Sequence, residues 1–150
     1  MSYKIITNKD FLHRECRFAK GGGAISLKLR SYLLTNKNAV GIASNQLGYE
    51  VRAFAIRKSD GSIDVFINPE KIIESGNKSV EMESCLSLKK SYKIERSEKV
   101  EFKILEYSPN GYPQFRKYKF TGYEARVVQH ELDHLDGILI SDKGVINDSL

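Results

Sequence analysis

The sequence predicts an α+β fold in which a helix near the C-terminal end packs against antiparallel β-strands. Two observations support this fold class. Apolar residues recur at helical spacing in the segments 23–36 and 122–136. Between these segments, short runs rich in apolar and β-branched residues are separated by turn residues, the pattern typical of strands. A helix, a run of strands and a second helix in that order favour the α+β class.

The first helix is predicted over 23–36. Glycines at 21–23 precede it and form a flexible turn. Four residues at helical spacing would form its buried face, namely Ile25, Leu29, Tyr32 and Leu33. The segment "AVGIASNQLG" (39–48) is predicted as a short extended piece that continues into a loop.

The middle of the chain is predicted to form strands, at 51–57, 64–70, 71–75, 78–83, 100–107 and 114–120. Gly76 and Asn77 predict a turn between two of these strands. The segment "SPNGYP" contains Asn110 and Gly111, a pair typical of hairpin turns, and predicts a hairpin between the last two strands.

The last helix has signals at both ends. "TGYE" (121–124) fits a capping box, in which the Thr121 hydroxyl and the Glu124 side chain each bond a free backbone amide. Gly137 is expected to end the helix, because glycine tolerates the left-handed conformation found there. An apolar stripe would face the core, formed by Val128, Leu132 and Leu135.

Composition indicates one soluble globular domain spanning 1–150, since 41% of the residues are hydrophobic and 29% are charged. No apolar run approaches the length needed to cross a bilayer. The charged N-terminal segment has no apolar core of the kind a secretory signal contains, so we expect a cytoplasmic location. A disulfide between Cys16 and Cys85 is not expected there, and Cys16 is interpreted as a buried small hydrophobe.

The net charge of +5 raises the question of nucleic-acid binding. The lysines are scattered, and many stand beside glutamates, as in "KIERSEKVEFK". We therefore predict neither a specific DNA site nor nucleic-acid binding as the main role.

The segment "VVQHELDHLDG" (127–137) contains the pattern H-E-x-x-H. His130 and His134 are four residues apart and would lie on one face of the helix, where both rings can bind one metal ion. In such motifs the intervening glutamate, here Glu131, is the general base for a metal-bound water. Two histidines leave a site short of one protein ligand, and the thiolate of Cys85 in "MESCLSL" is the candidate. This ligand set suits Fe(II), Zn(II), Co(II) or Ni(II).

Two histidines four residues apart can also occur by chance on a helix that binds no metal. Polar residues beside them favour the metal site over this alternative. Gln129 and Asp133 each stand directly before one of the histidines and are predicted to support the ligands through hydrogen bonds.

Three ordered blocks resemble the motifs of the peptide deformylases. "QHELDHLDG" (129–137) agrees with the whole third motif, Q-H-E-x-D-H-L-x-G. "ESCLS" (83–87) resembles E-G-C-L-S, and "GIASNQ" (41–46) with its preceding residues resembles G-x-G-x-A-A-x-Q. The order and spacing of the motifs extend the resemblance over about residues 23–140.

The resemblance implies antiparallel β-sheets surrounding a central C-terminal helix that carries both histidines. It implies removal of the N-formyl group from the starting methionine of newly made polypeptides, with release of formate. Cys85, His130 and His134 would bind one divalent metal, natively Fe(II), which Zn(II), Ni(II) or Co(II) can replace. Glu131 would take the proton of the attacking water and return it to the departing amine.

The resemblance also implies the groups that hold the substrate. The side-chain amide of Gln46 and the backbone N–H of Leu86 would stabilise the oxyanion. The substrate backbone would pair with Val40 and Gly41 as an added strand. Val127 and Val40 are candidates for the apolar pocket that receives the methionine side chain, although plain core positions would explain these two valines equally well.

The chain departs from the family pattern at several positions, namely Ala39, Ser44, Asn45, Ser84 and Lys89. None of these replaces a ligand, the base or the oxyanion amide. Ser84 adds a side chain beside a metal ligand where the family has glycine, so we predict retained activity with an altered peptide preference.

The segment after Gly137 is short, which suggests a trimmed family member of the kind a phage genome encodes. "ILI" (138–140) is predicted to close onto a sheet edge, and the residues after it to fray.

Two other functions remain open at this stage. A zinc peptidase uses the same H-E-x-x-H motif but requires a third metal ligand downstream of the helix. Asp142 and Asp148 are available there, although their spacing does not match that of a peptidase third ligand. A non-catalytic module that holds RNA or a ribosome through its basic surface is the second alternative. Ribosome contact near the exit tunnel is also compatible with an active enzyme, because its formylated substrates emerge there.

Overall fold

The computed structural model describes residues 3–146 of the chain. Its helices are α1 (Lys9–Leu12), α2 (Gly23–Thr35), α3 (Gly122–Leu135) and α4 (Ile140–Lys143). Its strands are β1 (Gly41–Ala43), β2 (Ala53–Arg57), β3 (Ile63–Ile67), β4 (Glu70–Glu83), β5 (Tyr92–Tyr107), β6 (Pro113–Thr121) and β7 (Val145–Ile146). A 3-10 helix, Ser44–Leu47, follows β1 directly.

The strands form two antiparallel sheets, which confirms the predicted α+β class. One sheet has the order β1-β2-β3. The other has the order β4-β5-β6, with β7 pairing beside the start of β5. Helix α3 packs against strands of both sheets, so it is the central helix of the fold.

The core between α3 and the sheets is aromatic and aliphatic. Phe54, Phe66 and Phe102 pack with ring centroids 5.1–5.9 Å apart. The predicted apolar stripe of α3 faces this cluster, and all three of its residues are buried there. Because the core fixes this face of α3, the neighbouring face with the two histidines has a defined orientation.

A second core cluster covers the other side of the smaller sheet. The four predicted apolar residues of α2 are buried in it, so both the helix and its inner face are confirmed. The cluster includes Ile42 of β1 and Ala53 and Ala55 of β2. Helix α2 therefore holds β1 in place, at the edge of its sheet.

The predicted turn at Gly76 and Asn77 is wrong. β4 runs through both residues as one strand of 14 residues. Its pairing with β5 is irregular between Ser75 and Lys78, where Gly76 has a φ of +82°. An extra residue with positive φ makes a bulge, which bends a strand without ending it. The hairpin at Asn110 and Gly111 is confirmed, although β5 begins at Tyr92, earlier than predicted.

The predicted capping box of α3 is also wrong, although the helix starts where expected. The Thr121 side chain makes no capping hydrogen bond. Glu124 instead accepts hydrogen bonds from the backbone N–H and the hydroxyl of Ser59, at 2.8 and 3.1 Å. The Glu124 carboxylate therefore bonds a residue distant in sequence, Ser59, instead of capping its own helix.

Gly137 ends α3 as predicted, with a φ of +73°. A Cβ at this position would overlap the carbonyl oxygen of His13 and lie 2.8 Å from its carbonyl carbon. Gly137 therefore also permits a close approach between the N-terminal segment and the end of α3.

We expect Gly137→Ala to lower the free energy of unfolding by more than about 2 kcal/mol. The left-handed backbone alone costs a non-glycine residue about 1–2 kcal/mol, and the overlap adds to it. Chemical denaturation followed by circular dichroism measures the difference. Gly111→Ala is the matched control, because Gly111 has a φ of +83° and open space around it. Equal losses in the two variants would contradict the close-packing argument.

The segment after Gly137 closes onto the larger sheet differently from the prediction. Leu139 and Ile140 are buried, and Ile140 begins α4. The strand that reaches the sheet is β7, whose residues pair with Tyr92 and Lys93. The fraying predicted beyond this point falls on residues 147–150, which lie outside the described residues. Within 3–146, no helix is long and apolar enough to span a membrane.

Candidate metal centre

Three possible metal ligands meet at one point beside α3. His130 and His134 lie on the same face of the helix, with ring centroids 5.1 Å apart. Cys85 follows the end of β4 and is buried. The three ligand atoms lie within 4.8 Å of one another, and Cys85 Sγ is 3.4 Å from His134 Nε2. A thiolate and two imidazoles so close together are a donor set for a transition metal.

The charges at this point suit metal binding. Burial and the nearby charge of His130 hold the pKa of His134 well below its usual value, so this ring is neutral with a lone pair to give. Burial alone lowers the pKa of His130, but hydrogen bonds to Cys85 and Glu83 outweigh it and raise the pKa to about 10. A metal ion that binds here would displace the proton of His130.

Glu83 is the hydrogen-bond partner of the first histidine. Its carboxylate accepts from His130 Nδ1 at 3.1 Å, which leaves Nε2 of that ring for a metal. Burial raises the pKa of Glu83, but hydrogen bonds from His130 and Arg96 outweigh it and lower the pKa to about 2. A carboxylate that accepts from the outer nitrogen of a histidine orients the ring and makes it a stronger ligand.

Two buried arginines hold Glu83 in place. Arg96 donates from Nε and Nη2 at 3.0 and 2.9 Å, and Arg126 donates from Nη1 at 2.7 Å. Arg96 also reaches Asp133 at 2.6 Å, so the network joins β4, β5 and α3. The sequence reasoning assigned no role to Glu83, Arg96 or Arg126, although Glu83 opens the quoted motif "ESCLS".

The predicted support of the histidines is wrong for Gln129, whereas Asp133 supports them only indirectly, through Arg96 and Glu83. Gln129 accepts from the backbone N–H of Ser97 at 3.1 Å and donates to its carbonyl at 2.8 Å, so it fastens α3 to β5. Asp133 pairs with Arg96 and Lys143. Their partners lie on β5 and, for Lys143, at the end of α4.

Glu131 is buried beside the three ligands, with its Oε1 unpartnered among the described residues. Burial raises the pKa of Glu131 to about 7, against the lowering effect of His130 and Arg96. A carboxylate with this pKa and a free oxygen can exchange a proton with a bound water near neutral pH.

Gly41 makes the space that Glu131 occupies. A Cβ on Gly41 would overlap Glu131 Oε2 and lie 3.1 Å from both Glu131 Cδ and Val127 Cγ1. Gly41 lies within β1, where it pairs with Ile56.

We expect Gly41→Ala to lower turnover by about 100-fold with little loss of bound metal. The added methyl group displaces the Glu131 carboxylate, and a displacement of about 1 Å in a catalytic group can cost this much. Steady-state kinetics with metal analysis tests it. Gly23→Ala is the control, since a Cβ there meets nothing within 4 Å. Full activity in Gly41→Ala would contradict this role.

Gln46 reaches the metal centre from the 3-10 helix. Its Oε1 accepts from the backbone N–H of Ala43 at 3.0 Å, which fixes the orientation of the amide. Its Nε2 donates to Ser87 Oγ at 3.1 Å and lies 3.6 Å from Cys85 Sγ. A fixed N–H donor therefore stands next to the candidate thiolate ligand.

Three departures from the family pattern have structural roles. Ser44 donates its hydroxyl to the carbonyl of Val51, and Asn45 donates to the carbonyl of His134 at 2.9 Å. Ser84 shares a hydrogen bond of 2.8 Å with Ser91. The first two are buried and tie the 3-10 helix to its neighbours, whereas the third lies on the exposed rim.

A cleft of about 440 Å³ opens over the metal centre. Its lining includes Val40, Gly41, Leu86 and Val127, together with Cys85, His130 and Glu131. The structure therefore brings two of the three predicted ligands, the predicted base and the predicted substrate residues to one cavity, whereas His134 is buried and does not line it. Val127 is 8% exposed, whereas Val40 and Leu86 are 40% and 48% exposed.

Comparison with known proteins gives consistent matches. Residues 19–148 match the family model for polypeptide deformylase. The peptide deformylase of Dictyoglomus thermophilum is 40% identical over 109 residues, covering 72% of this chain and 67% of the relative. Peptide deformylase 1 of Clostridium perfringens is 39% identical over 138 residues, covering 89% and 90%.

A solved structure has the same overall fold. It is the Met-Ala-Ser-bound class I type b peptide deformylase of Acinetobacter baumannii. The TM-score is 0.76 at 25% identity, and the match covers 95% of this chain and 98% of the other.

Proposed function

The chain belongs to the polypeptide deformylase family, and from that premise we propose how its own residues carry out the family reaction. That reaction is hydrolysis of the N-formyl group of formyl-methionyl peptides, which releases formate and a free amine. We propose that residues 1–150 act as one catalytic domain for it. The observation that carries the proposal is the convergence of Cys85, His130 and His134 beside the buried carboxylate of Glu131.

Cys85, His130 and His134 are the proposed ligands of one divalent metal ion. Their donor atoms fit the group, because a thiol and two ring nitrogens lie within 4.8 Å of one another. Fe(II) is the proposed native ion, and Zn(II), Ni(II) or Co(II) are proposed substitutes, since all accept this ligand set. When bound, the ion supplies a Lewis acid and brings the pKa of a coordinated water towards about 7.

Glu131 is the proposed general base and acid. It takes a proton from the attacking water and delivers it to the amine nitrogen as the C–N bond breaks, so that the amine leaves neutral. Its pKa of about 7 suits both halves of this transfer near neutral pH. Gly41 keeps the carboxylate next to the cleft by leaving room for it.

Gln46 and Leu86 are the proposed oxyanion donors. Gln46 Nε2 is held close to Cys85 by the hydrogen bond that its Oε1 accepts, and Leu86 follows Cys85 directly in the chain. Donors that are held in place before the reaction stabilise the developing negative charge without having to move. Loss of one such donor typically raises the activation free energy by about 3 kcal/mol.

The substrate peptide is proposed to lie beside Val40 and Gly41 as an added strand. β1 is an edge strand of its sheet, so one of its edges can accept another strand. The methionine side chain is proposed to enter the cleft beside Val127. The Met-Ala-Ser bound to the Acinetobacter relative has the sequence expected of such a product peptide.

The proposed setting is the cytoplasm, where formyl-methionyl nascent chains are made during protein maturation. Contact with the ribosome near its exit tunnel is proposed from the net charge of +5, which favours a polyanionic surface. Such contact would weaken steeply with salt. Sedimentation with ribosomes at low and raised salt tests it, and absence of binding at low salt would contradict it.

Formate release from formyl-Met-Ala-Ser tests the proposed function. The protein is prepared anaerobically with Fe(II) or Ni(II), because a ferrous ion beside a thiolate is sensitive to oxidation. Acetyl-Met-Ala-Ser is the control substrate, since its extra methyl group occupies the position of the formyl hydrogen. We expect turnover of the formyl peptide that depends on added metal. Metal-loaded protein with no turnover would favour a binding role.

A further inference from the structure

Two buried polar atoms, on two residues that hydrogen-bond each other, have no partner of their own within residues 3–146. They are His134 Nδ1 and Asn45 Oδ1, and each belongs to a side chain with only 1% exposure. Leaving a buried donor or acceptor unpaired costs about 1–3 kcal/mol, so native proteins rarely contain such atoms without a function.

The chemistry of the metal centre makes these two atoms complementary. His134 directs Nε2 towards Cys85, so a metal held there leaves the ring proton on Nδ1, which becomes a donor. Asn45 is already next to this residue, because its Nδ2 donates to the His134 backbone carbonyl at 2.9 Å. That bond uses the amide nitrogen and leaves Oδ1 as an acceptor.

We propose that, once a metal is bound, Asn45 positions the second histidine ligand by accepting the His134 Nδ1–H directly at its Oδ1. The proposal rests on the metal centre proposed above. It makes the two histidine ligands different, because His130 is held by the charged Glu83 and His134 by a neutral amide. A neutral partner orients a ring without adding negative charge to the centre.

Asn45 is one of the positions at which this chain departs from the family motif quoted above. Asn45 also joins the 3-10 helix that carries Gln46 to the helix that carries His134. One side chain thereby couples the oxyanion amide to the metal ligands.

The test is the affinity of the metal-free protein for Zn(II), measured by competition with a chelator. We expect Asn45→Ala to bind Zn(II) about 10- to 100-fold more weakly, the loss typical of removing such a partner. Ser44→Ala is the matched control. It removes another buried hydrogen bond of the same 3-10 helix, to Val51, and should leave Zn(II) affinity unchanged.

A second measurement uses the unaltered chain, in case Asn45→Ala does not fold. In the Zn(II)-loaded protein, the Nδ1–H proton of His134 should give a slowly exchanging NMR signal. That signal should show a nuclear Overhauser contact to the Asn45 side-chain amide.

The outcomes separate this proposal from the metal centre itself. Equal Zn(II) affinity in the parent, Asn45→Ala and Ser44→Ala, or a His134 ring proton with no contact to Asn45, would overturn the role of Asn45 alone. Failure of the parent to bind Zn(II) would overturn the metal centre and this proposal together.

Discussion

Glu131→Gln is expected to lower formate release by about 10²- to 10⁴-fold, the range by which a general acid–base group accelerates a reaction. Glutamine has nearly the same shape as glutamate, so it fits the space that Gly41 leaves. It cannot take a proton from water at neutral pH. The loss should therefore appear in kcat, with the bound metal unchanged.

The measurement compares kcat and metal content of Glu131→Gln with those of Glu124→Gln. Glu124 lies on the same helix but bonds Ser59, away from the metal centre, so its variant should retain turnover. Glu131→Gln with near-normal turnover would assign proton transfer to another group. Glu131→Gln without metal would show that the carboxylate holds the ion, and the base would then remain unidentified.

Cys85→Ala is expected to weaken metal binding by more than about 100-fold and to abolish turnover. Loss of a supporting group around a metal typically costs about 10–100-fold in affinity, and loss of a ligand costs more. Cys16→Ala is the matched control, because Cys16 is also a buried free thiol but lies in the core cluster. Burial raises the pKa of Cys16 to about 11, so that thiol stays protonated.

The same variant separates a deformylase from a zinc peptidase. A peptidase of the H-E-x-x-H type would keep its metal without Cys85, using a carboxylate downstream of the helix. Asp142 is engaged elsewhere, since it pairs with His13 at 3.1 Å and accepts from the backbone N–H of Leu139 at 2.8 Å. Asp148, the other downstream candidate, lies outside the described residues. Full metal retention in Cys85→Ala would favour the peptidase.

Local sequence determined the elements whose signals are strong and short in range. The apolar spacing of α2 and the stripe on α3 lead directly to buried faces, because residues three and four apart share one side of a helix. The same geometry places His130 and His134 on one face. The hairpin at Asn110 and Gly111 and the helix end at Gly137 follow from glycine's access to positive φ.

Where a local sequence signal competed with a partner distant in sequence, the tertiary contact determined the local structure. Gly76 and Asn77 predict a turn by composition, but β5 supplies a continuous partner and the residues form a bulge in β4. Glu124 has the position of a capping residue, but its carboxylate accepts hydrogen bonds from the Ser59 amide and hydroxyl instead. Such contacts join residues far apart in sequence, which no pattern in a short segment records.

The metal centre shows the same division. The sequence by itself determined which residues could bind a metal, since H-E-x-x-H and a separate cysteine offer the right donor atoms. Only the folded chain decided what surrounds them. Glu83, Arg96 and Arg126 form their network because β4, β5 and α3 meet there, and buried charges are stable only when paired. The space for the Glu131 carboxylate beside Gly41 likewise exists only after β1 has packed on α3. The sequence shows that Gly41 lacks a side chain, but only the fold shows that the Glu131 carboxylate occupies that space.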